Sequence, residues 1–366
     1  MSWEKKLNES ICSIDELKKY IEISSVDEVK LREVVRMHPM KITKYYLSLI
    51  NKEDKDDPIR RLIIPSIDEL NLCGSYDTSG EKENTKTVGL QHKYKQTALI
   101  LSTNQCAAYC RFCFRKRLVG LPNHEILTRF DNAVDYIKEH KEINNVLISG
   151  GDPLVLPTNI IEFFLEKISQ IKHIDFIRFG SRIPVVFPDR ILEDCSLTNL
   201  LKKYSQKKRL FVVTHFNHPR EITEKSTLAI DKLIESKIIV NNQTVLLKGV
   251  NDDSRILSEL QSKLVKIGVN PYYIFQCRPV KRVKHHFQVP LYKCIKIVED
   301  AKKELNGHAK RFRYIMSHKS GKIEILGIKD KEIYFKYHQA KNPEKIGKIF
   351  TRKLDKTSGW LDELKK

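Results

Sequence analysis

Short apolar runs rich in β-branched residues recur along most of this chain, and they constrain its fold more than any other feature. Between them lie longer amphipathic stretches with helical spacing, such as "TNIIEFFLEKISQI" and "SRILSELQSKLVKIG". After the first gap the runs follow one another every 31 to 33 residues, a length that fits one strand and one returning helix. The pattern predicts an α/β core of six parallel strands, open or curled into part of a barrel. The runs begin at Thr97, Asn145, Phe176, Arg209, Asn241 and Tyr272.

The two ends of the chain differ from this repeating core. "SIDELKKYI" and the stretch that begins "VDEVKLREVV" have helical periodicity, which predicts a helical N-terminal region over residues 1–95. The barrel core then occupies residues 96–310. Within residues 311–366, "KIEILGIKDKEIYFKY" alternates on either side of a Lys-Asp turn and predicts a β-hairpin, which a lysine-rich tail follows.

The chain has 66 Lys and Arg against 46 Asp and Glu, a formal charge of +20 that would suit nucleic acid, an anionic membrane or small anionic ligands. The cations are spread over the whole length without interleaved aromatic residues, so nucleic-acid binding is not expected. The chain begins with charged residues and has no apolar run near the roughly 18 residues that cross a bilayer. We therefore expect a soluble cytoplasmic protein.

One loop requires a chemical explanation, because "NQCAAYCRFCFRKR" places three of the eight cysteines within eight residues. The spacing at Cys106, Cys110 and Cys113 lacks the fourth ligand that structural zinc needs. Three thiolates can instead hold a [4Fe–4S] cluster and leave one iron open. The loop follows the first predicted strand, at the end of the sheet where α/β folds bind ligands. A redox or zinc loop with accidental spacing is the alternative.

Together with Phe112, these cysteines resemble the signature of the radical S-adenosylmethionine (SAM) enzymes, in which SAM chelates the open iron and is cleaved to a 5′-deoxyadenosyl radical. The resemblance implies that Phe112 packs near the SAM adenine. The second predicted strand ends in "ISGGDPL", where Gly150, Gly151 and Asp152 resemble the motif that receives the SAM amino group. A tight turn between strand and helix is the other explanation for the two glycines.

Longer segments narrow the resemblance. "GSRIPVVFPDRI", "THFNHPREIT" and "NNQTVLLKGVND" are similar, nearly word for word, to segments of the lysine 2,3-aminomutase family. This similarity implies a partial (βα)6 barrel of TIM type and an isomerase that moves the α-amino group of a free amino acid to its β-carbon. It also implies a [4Fe–4S] cluster, SAM and pyridoxal 5′-phosphate (PLP) as cofactors, a flavodoxin- or ferredoxin-type reductant, and a homo-oligomer. The interfacial zinc of the lysine enzymes is not expected, because no cysteine follows Cys294.

The substrate and cofactor positions of the family can be carried over to this chain. By resemblance, Arg115 binds the substrate carboxylate and Gln243 binds SAM. Lys93 and Tyr94 match residues that hold the PLP phosphate. A second phosphate-binding arginine of the family is matched by Thr97, so that contact is weaker or rebuilt.

Two further positions leave alternatives open. His215 ends the fourth predicted strand, in "THFNHP" with Asn217 and His218, where the resemblance places the pocket; a core role is the alternative for the histidines. Lys322 matches the lysine that binds PLP, and Lys319 in the same "SHKSGK" segment is its rival. Without the resemblance, both lysines would be assigned to the surface.

Two departures from the family concern the substrate. Lysine-specific members hold the side-chain ammonium with two aspartates, and this chain has Arg278 and Ile315 at those positions. At ~4 Å and an effective dielectric constant of ~20, each such charge pair is worth roughly 4 kcal/mol. The positions therefore predict an acidic substrate such as glutamate, as in the glutamate-acting members of the family. Arg278 turned to solvent, or paired with a nearby carboxylate, is the alternative.

Three other enzymatic functions are compatible with the sequence: a lysine 2,3-aminomutase, a radical SAM enzyme that modifies a protein lysine, and a PLP-dependent eliminase. A non-enzymatic iron–sulfur electron carrier is disfavoured, because the matched SAM and PLP positions would have no role in it.

Overall fold

A single sheet of twelve strands runs through residues 2–122 and 124–365, which the computed structural model describes. The strands follow one another across the sheet in chain order. They are β1 (Thr85–Thr87), β2 (Leu90–Tyr94), β3 (Thr97–Thr103), β4 (Asn145–Gly150), β5 (Phe176–Gly180), β6 (Arg209–Thr214), β7 (Ile239–Leu246), β8 (Asn270–Gln276), β9 (Arg313–His318), β10 (Gly321–Lys329), β11 (Glu332–Ala340) and β12 (Ile349–Lys353). Pairing is antiparallel from β1 to β3, parallel from β3 to β9, and antiparallel from β9 to β12.

The N-terminal region is helical up to residue 84. Serine and threonine side chains cap several of its helices, as where Ser13 and Glu16 form a capping box. The strands β1 and β2, which the sequence analysis did not predict, follow these helices and extend the sheet beyond β3. Their sequence "TKTVGLQHKY" is short and polar, so it lacks the apolar pattern of a buried strand. The helices are α1 (Trp3–Asn8), α2 (Ile14–Leu17), α3 (Ser25–Met37), α4 (Lys44–Leu47), α5 (Pro58–Ile63) and α6 (Glu81–Asn84).

The six predicted parallel strands are β3 to β8, and amphipathic helices cover them from outside. The longest helices have 13 residues, and no helix within the described ranges has the length and hydropathy of a membrane span. A seventh parallel strand, β9, was not predicted, because the apolar run within its sequence "RYIMSH" is only three residues long and a two-residue turn joins it directly to β10. The helices are α7 (Phe130–Glu139), α8 (Thr158–Ser169), α9 (Ile183–Val186), α10 (Asp189–Leu192), α11 (Cys195–Ser205), α12 (Glu224–Glu235), α13 (Ser254–Lys266), α14 (Lys284–Phe287) and α15 (Leu291–Lys303).

The parallel strands curl around one cavity of about 580 Å³. Alternate residues of each strand line it; in β4, for example, Leu147 and Ser149 face the cavity, whereas Val146 and Ile148 are fully buried. Because β3 and β9 pair with different neighbours and not with each other, the curl stays open. The core is therefore a partial barrel of TIM type, as the sequence predicts.

The predicted C-terminal hairpin is formed by β10 and β11. Its turn residues Asp330 and Lys331 both have positive φ angles, of 51° and 63°, which suits the tight turns that join antiparallel strands. Beyond β12, Trp360 and Leu361 return to pack into the core beneath this part of the sheet. The hairpin therefore belongs to the sheet of the barrel and contributes residues to its cavity.

Candidate active site

The three clustered cysteines lie on the loop that leaves the carboxyl end of β3, and all three line the cavity. Structural zinc takes four protein ligands, whereas three thiolates can hold a [4Fe–4S] cluster and leave one iron open, so the three cysteines suit the cluster better. Burial, reinforced by Cys110, raises the pKa of Cys113 to about 11, so thiolates here need a cationic centre between them.

The N-terminal region holds this cysteine loop through the buried carboxylate of Glu69. Both oxygens of Glu69 accept hydrogen bonds from Arg111, at 2.8 and 2.6 Å, and one accepts from Lys116 at 2.5 Å. Burial would raise the pKa of Glu69, but the two cations lower it to about 2. Burial lowers the pKa of Lys116 to about 8, so both charges of this pair persist at neutral pH. Two of the four cations in the loop are therefore structural.

Arg115, predicted to bind the substrate carboxylate, lines the cavity but has protein partners. Its Nε donates to Glu81 at 3.0 Å, and its Nη1 lies 3.3 Å from Ser149 Oγ and from the carbonyl oxygen of Gly150. Glu81 also accepts from Arg117 at 2.8 Å. Burial opposes the ionisation of Glu81, yet the two arginines lower its pKa. Glu81 thus compensates part of the charge that Arg115 brings to the cavity, and the role of Arg115 remains a prediction.

Gly150 and Gly151 bring the loop after β4 against the cysteine loop. Gly150 has a φ of 112°, and a Cβ there would lie 2.5 Å from the carbonyl oxygen of Thr103. A Cβ on Gly151 would lie 2.2 Å from the carbonyl oxygen of Gln105. The N–H groups of Gly151 and Asp152 donate to these two carbonyls at 2.6 and 2.8 Å. This close approach of two backbones requires glycine.

Asp152 lies buried in the cavity wall. Its carboxylate accepts the backbone N–H groups of Leu154 at 3.1 Å and Arg182 at 2.7 Å. Burial raises its pKa to about 6. An ammonium group beside Asp152 would favour the ionised carboxylate, which is compatible with the predicted contact to the SAM amino group.

Arg182 is a site residue that the sequence analysis did not single out. Its Nη1 lies 2.8 Å from the sulfur of Cys110, and its Nε donates to the carbonyl oxygen of His215 at 3.1 Å. It also forms an ion pair with the fully buried Glu221, and its guanidinium lies 5.4 Å from the ring centroid of Phe112. Its only sequence signal is its place just after a strand, in "GSRIPVV".

Phe112 and His215 meet edge to face, with 5.4 Å between ring centroids, and both line the cavity. Burial lowers the pKa of His215 to about 3, so its ring is neutral, and its buried Nε2 has no protein partner. This atom can therefore bind a ligand. Gln243, on β7, also lines the cavity. Asn217 and His218 do not line it; they bind backbone N–H groups beside it.

The two candidate PLP lysines lie in different environments. The side chain of Lys319 is 67% exposed. Lys322, on β10, lines the cavity, and its Nζ has no hydrogen-bond or ion-pair partner in residues 2–122 and 124–365, although it lies 4.9 Å from the ring centroid of Tyr273. Burial, with nearby arginines, lowers the pKa of Lys322 to about 7. A partly neutral amine of this kind is a good nucleophile for an aldehyde.

Lys93, Tyr94 and Thr97, the positions matched to the PLP phosphate site, all line the cavity. The Nζ of Lys93 donates to the carbonyl oxygens of Ser79 at 2.9 Å and His318 at 2.7 Å, and burial lowers its pKa to about 7. Burial raises the pKa of Tyr94, which therefore stays protonated. Lys93 is thus partly neutral and already hydrogen-bonded to the backbone, which leaves room for another residue to bind the PLP phosphate.

Arg278 points into the cavity from the segment after β8. Its Nη2 donates to Ser317 Oγ at 2.9 Å, and its guanidinium lies 4.2 Å from the ring centroid of Phe114. Its Nη1 is buried without a partner, and no acidic residue of the described chain lies within ion-pair distance of it. Ile315, at the other departure from the lysine enzymes, is fully buried and does not line the cavity.

Cations outnumber acids along the cavity wall. Among the described residues, six lysines and arginines line it, against Glu81 and Asp152. Such a wall suits ligands with several anionic groups. The six cations are Lys93, Arg115, Arg178, Arg182, Arg278 and Lys322.

Comparison with known proteins agrees with this site. Residues 100–258 match the family model described as the radical SAM superfamily. An L-lysine 2,3-aminomutase of Clostridium subterminale is 40% identical over 309 residues, which are 84% of this chain and 73% of that protein. The chain belongs to the lysine 2,3-aminomutase family. Another member, from Aquifex aeolicus (strain VF5) and provisionally named an L-lysine 2,3-aminomutase, is 42% identical over 352 residues, covering 96% of this chain and 94% of its own.

The aminomutase family also includes a glutamate 2,3-aminomutase of Clostridioides difficile (strain 630), which is 38% identical over 282 residues, or 76% of this chain and 66% of that protein. The solved structure described as "Native anSMEcpe with bound AdoMet and Kp18Cys peptide" is a distant likeness, with a TM-score of 0.45 and 13% identity over 60% of this chain and 63% of that one.

Family membership makes the protein a radical SAM isomerase with a [4Fe–4S] cluster and SAM, and lysine 2,3-aminomutases use PLP. The residues present fit these groups. The three clustered cysteines line the cavity, and an unpartnered lysine amine faces the same cavity as several cations.

Proposed function

We propose that this protein is a 2,3-aminomutase for an acidic amino acid of the glutamate type, with SAM and PLP as cofactors. The observation that carries the proposal is the guanidinium of Arg278, which faces the cavity with a buried, unpartnered Nη1. A substrate carboxylate would supply the missing acceptor in a charge-assisted hydrogen bond.

Electrostatics favours an acidic substrate over lysine at this position. At ~4 Å and an effective dielectric constant of ~20, a carboxylate beside the guanidinium gains roughly 4 kcal/mol and an ammonium loses as much. Glu81 is the acid that acts most strongly on Arg278, but it already forms ion pairs with Arg115 and Arg117. The glutamate 2,3-aminomutase among the relatives is a further support, since its name describes this substrate class.

Other residues of the chain have positioning roles in this proposal. Arg115 orients the α-carboxylate of the substrate, and Lys322 binds PLP covalently through its Nζ. Bound at these places, SAM supplies the radical that takes a hydrogen atom from the substrate, and PLP carries the migrating nitrogen. The protein contributes placement, counter-charges and exclusion of water. We further expect a flavodoxin- or ferredoxin-type electron donor and a homo-oligomeric enzyme.

The proposal is tested by anaerobic incubation of the cluster-loaded enzyme with SAM, PLP and a reductant. Glutamate, aspartate, glutamine and lysine are supplied separately, and β-amino acid products are quantified by mass spectrometry. We expect glutamate to be converted at least about 100-fold faster than lysine. This ratio is smaller than the full difference in charge interaction energy would give.

Two outcomes would contradict the proposal. Turnover of lysine without turnover of glutamate would make the chain a lysine 2,3-aminomutase, the name that several of its relatives carry. Formation of 5′-deoxyadenosine that is unaffected by any free amino acid would point instead to a protein substrate or to elimination chemistry.

A further inference from the structure

Two arginines that line the cavity have unpartnered, buried N–H groups. Arg278 is one, and Arg178, in the middle of β5, is the other. The Nη2 of Arg178 donates to Asn145 Oδ1 at 2.6 Å, while its Nε is buried without an acceptor. Within residues 2–122 and 124–365, no carboxylate forms an ion pair with Arg178. Two such groups give the cavity the capacity to bind two anionic groups.

Apart from Lys322, the proposed PLP lysine, the other cations of the cavity are already engaged by the protein. Arg182 pairs with Glu221, and Arg115 pairs with Glu81. Lys93 donates to two backbone carbonyls. Arg178 and Arg278 therefore have the greatest remaining capacity for an anionic group of a ligand.

These two arginines lie at different heights along the strands of the barrel. Arg278 packs on the ring of Phe114, within the cysteine loop, and so lies toward the cluster. Arg178 instead contacts Asn145, the first residue of β4, and so lies toward the amino ends of the strands. Both arginines act electrostatically on the amine of Lys322, Arg178 the more strongly of the two. All three side chains line the same cavity, so a ligand joined to Lys322 has Arg178 available toward the amino ends of the strands and Arg278 toward the cluster.

The surroundings of Arg178 hold its guanidinium in a fixed orientation. Asn145 Oδ1 accepts hydrogen bonds from Arg178 and from the hydroxyl of Thr97 at 3.2 Å, and its Nδ2 donates to the carbonyl oxygen of Gln96 at 2.8 Å. The ring of Phe176 lies 5.8 Å from the guanidinium carbon. Thr97, the residue matched to a phosphate-binding arginine of the family, therefore helps to orient a different arginine.

We infer that Arg178 binds the phosphate group of PLP and takes over the role of the arginine that Thr97 replaces. The inference rests on the proposed use of PLP at Lys322. A guanidinium with an unpartnered Nε–H suits a phosphate, whose oxygens accept charge-assisted hydrogen bonds. Arg278 is then left for the carboxylate of the substrate side chain.

The test compares the affinities for PLP and for pyridoxal, which has the same aldehyde and ring but no phosphate. Dissociation constants are measured by equilibrium dialysis with the cluster-loaded enzyme and its Arg178→Gln variant, without SAM or substrate. We expect Arg178→Gln to weaken PLP binding about 10- to 100-fold, the size of a lost charge-assisted hydrogen bond, and to change pyridoxal binding less than about threefold. Arg178→Lys, which keeps a cation, should lose less.

Arg278→Gln is the matched control, because it also removes an unpartnered cavity arginine. It should keep the preference of the parent for PLP over pyridoxal. An unchanged preference in Arg178→Gln would overturn the inference, including the case in which both ligands are weakened equally. A preference lost only in Arg278→Gln would overturn it as well, since it would place the phosphate at Arg278. If the parent enzyme binds neither ligand, the use of PLP fails, and the proposed function fails with it.

Discussion

The cysteine loop and the cavity wall both carry arginines, but the protein treats them in opposite ways. In the loop, Arg111 and Lys116 share the buried Glu69, and every charge has a partner. On the wall, Arg178 and Arg278 have buried N–H groups and no acidic partner in the described chain. The two cations paired with Glu69 hold the loop in place, because the chain itself provides their carboxylate. The two unpaired arginines are available to ligands, because only a ligand can supply the acceptors that their N–H groups lack.

The largest effect is expected when the paired region is broken. Glu69→Gln leaves two buried cations without their counter-charge, which should reduce the free energy of unfolding by ~3–5 kcal/mol. Chemical denaturation at neutral pH measures this change. Glu83→Gln is the control, because the side chain of Glu83 is 77% exposed and its ion pair with Lys341 should contribute little. Equal stability of the two variants would show that the Glu69 cluster does not hold the loop.

The stability that Glu69 contributes depends on pH, and the sign of this dependence follows from its pKa. The pKa of Glu69 is about 2 in the folded protein, below its usual value of 4.5, so its contribution is present above pH 4.5 and is lost as the pH falls toward 2. The stability difference between the parent and Glu69→Gln should therefore narrow over that range. A difference that stays constant down to pH 2 would contradict the ion-pair origin of the effect.

A smaller effect, of the opposite sign, is expected for Lys322 in the cofactor-free protein. Its folded pKa of about 7 lies below its ordinary value of 10.5, so below pH 7 the folded state bears the full cost of an unpaired ammonium. Between pH 7 and 10.5 the unfolded state binds more protons, and stability rises with pH. Lys322→Met should be more stable than the parent near pH 6, and the gap should close toward pH 10. Thermal unfolding of both proteins across this pH range measures the gap. A parent protein more stable than Lys322→Met at pH 6 would contradict the unpaired state of Lys322.

The smallest effect is expected for the unpaired arginines. Arg278→Met removes a guanidinium that has one hydrogen bond to Ser317 and no ion pair in the described chain, so the free energy of unfolding should fall by less than about 1 kcal/mol, if it falls at all. The same denaturation experiment as for Glu69→Gln measures it. A loss as large as that of Glu69→Gln would mean that Arg278 serves the fold and not a ligand.

The features that the sequence made predictable are local patterns. The strands β3 to β8 were predicted because each pairs an apolar run with a helix of matching length, and the cysteines because their spacing alone limits what they can bind. Glu69, Arg182 and Arg178 were not predicted, because each acts through partners far away in the chain. Glu69 and Arg111 are 42 residues apart, and Arg182 and Cys110 are 72 apart. Single residues of this kind carry no periodicity or spacing that marks them.

The central claim is that the unpaired guanidinium of Arg278 selects an acidic substrate. The most direct test compares glutamate with glutamine, which has the same shape without the charge. The ratio of their kcat/KM values should be at least about 100 for the parent enzyme and fall to within about tenfold of unity for Arg278→Gln, because the charge-assisted bond is lost. Arg311→Gln, at an exposed arginine outside the cavity, should leave the ratio unchanged. A ratio that Arg278→Gln does not alter would contradict the assignment of this arginine to the substrate carboxylate.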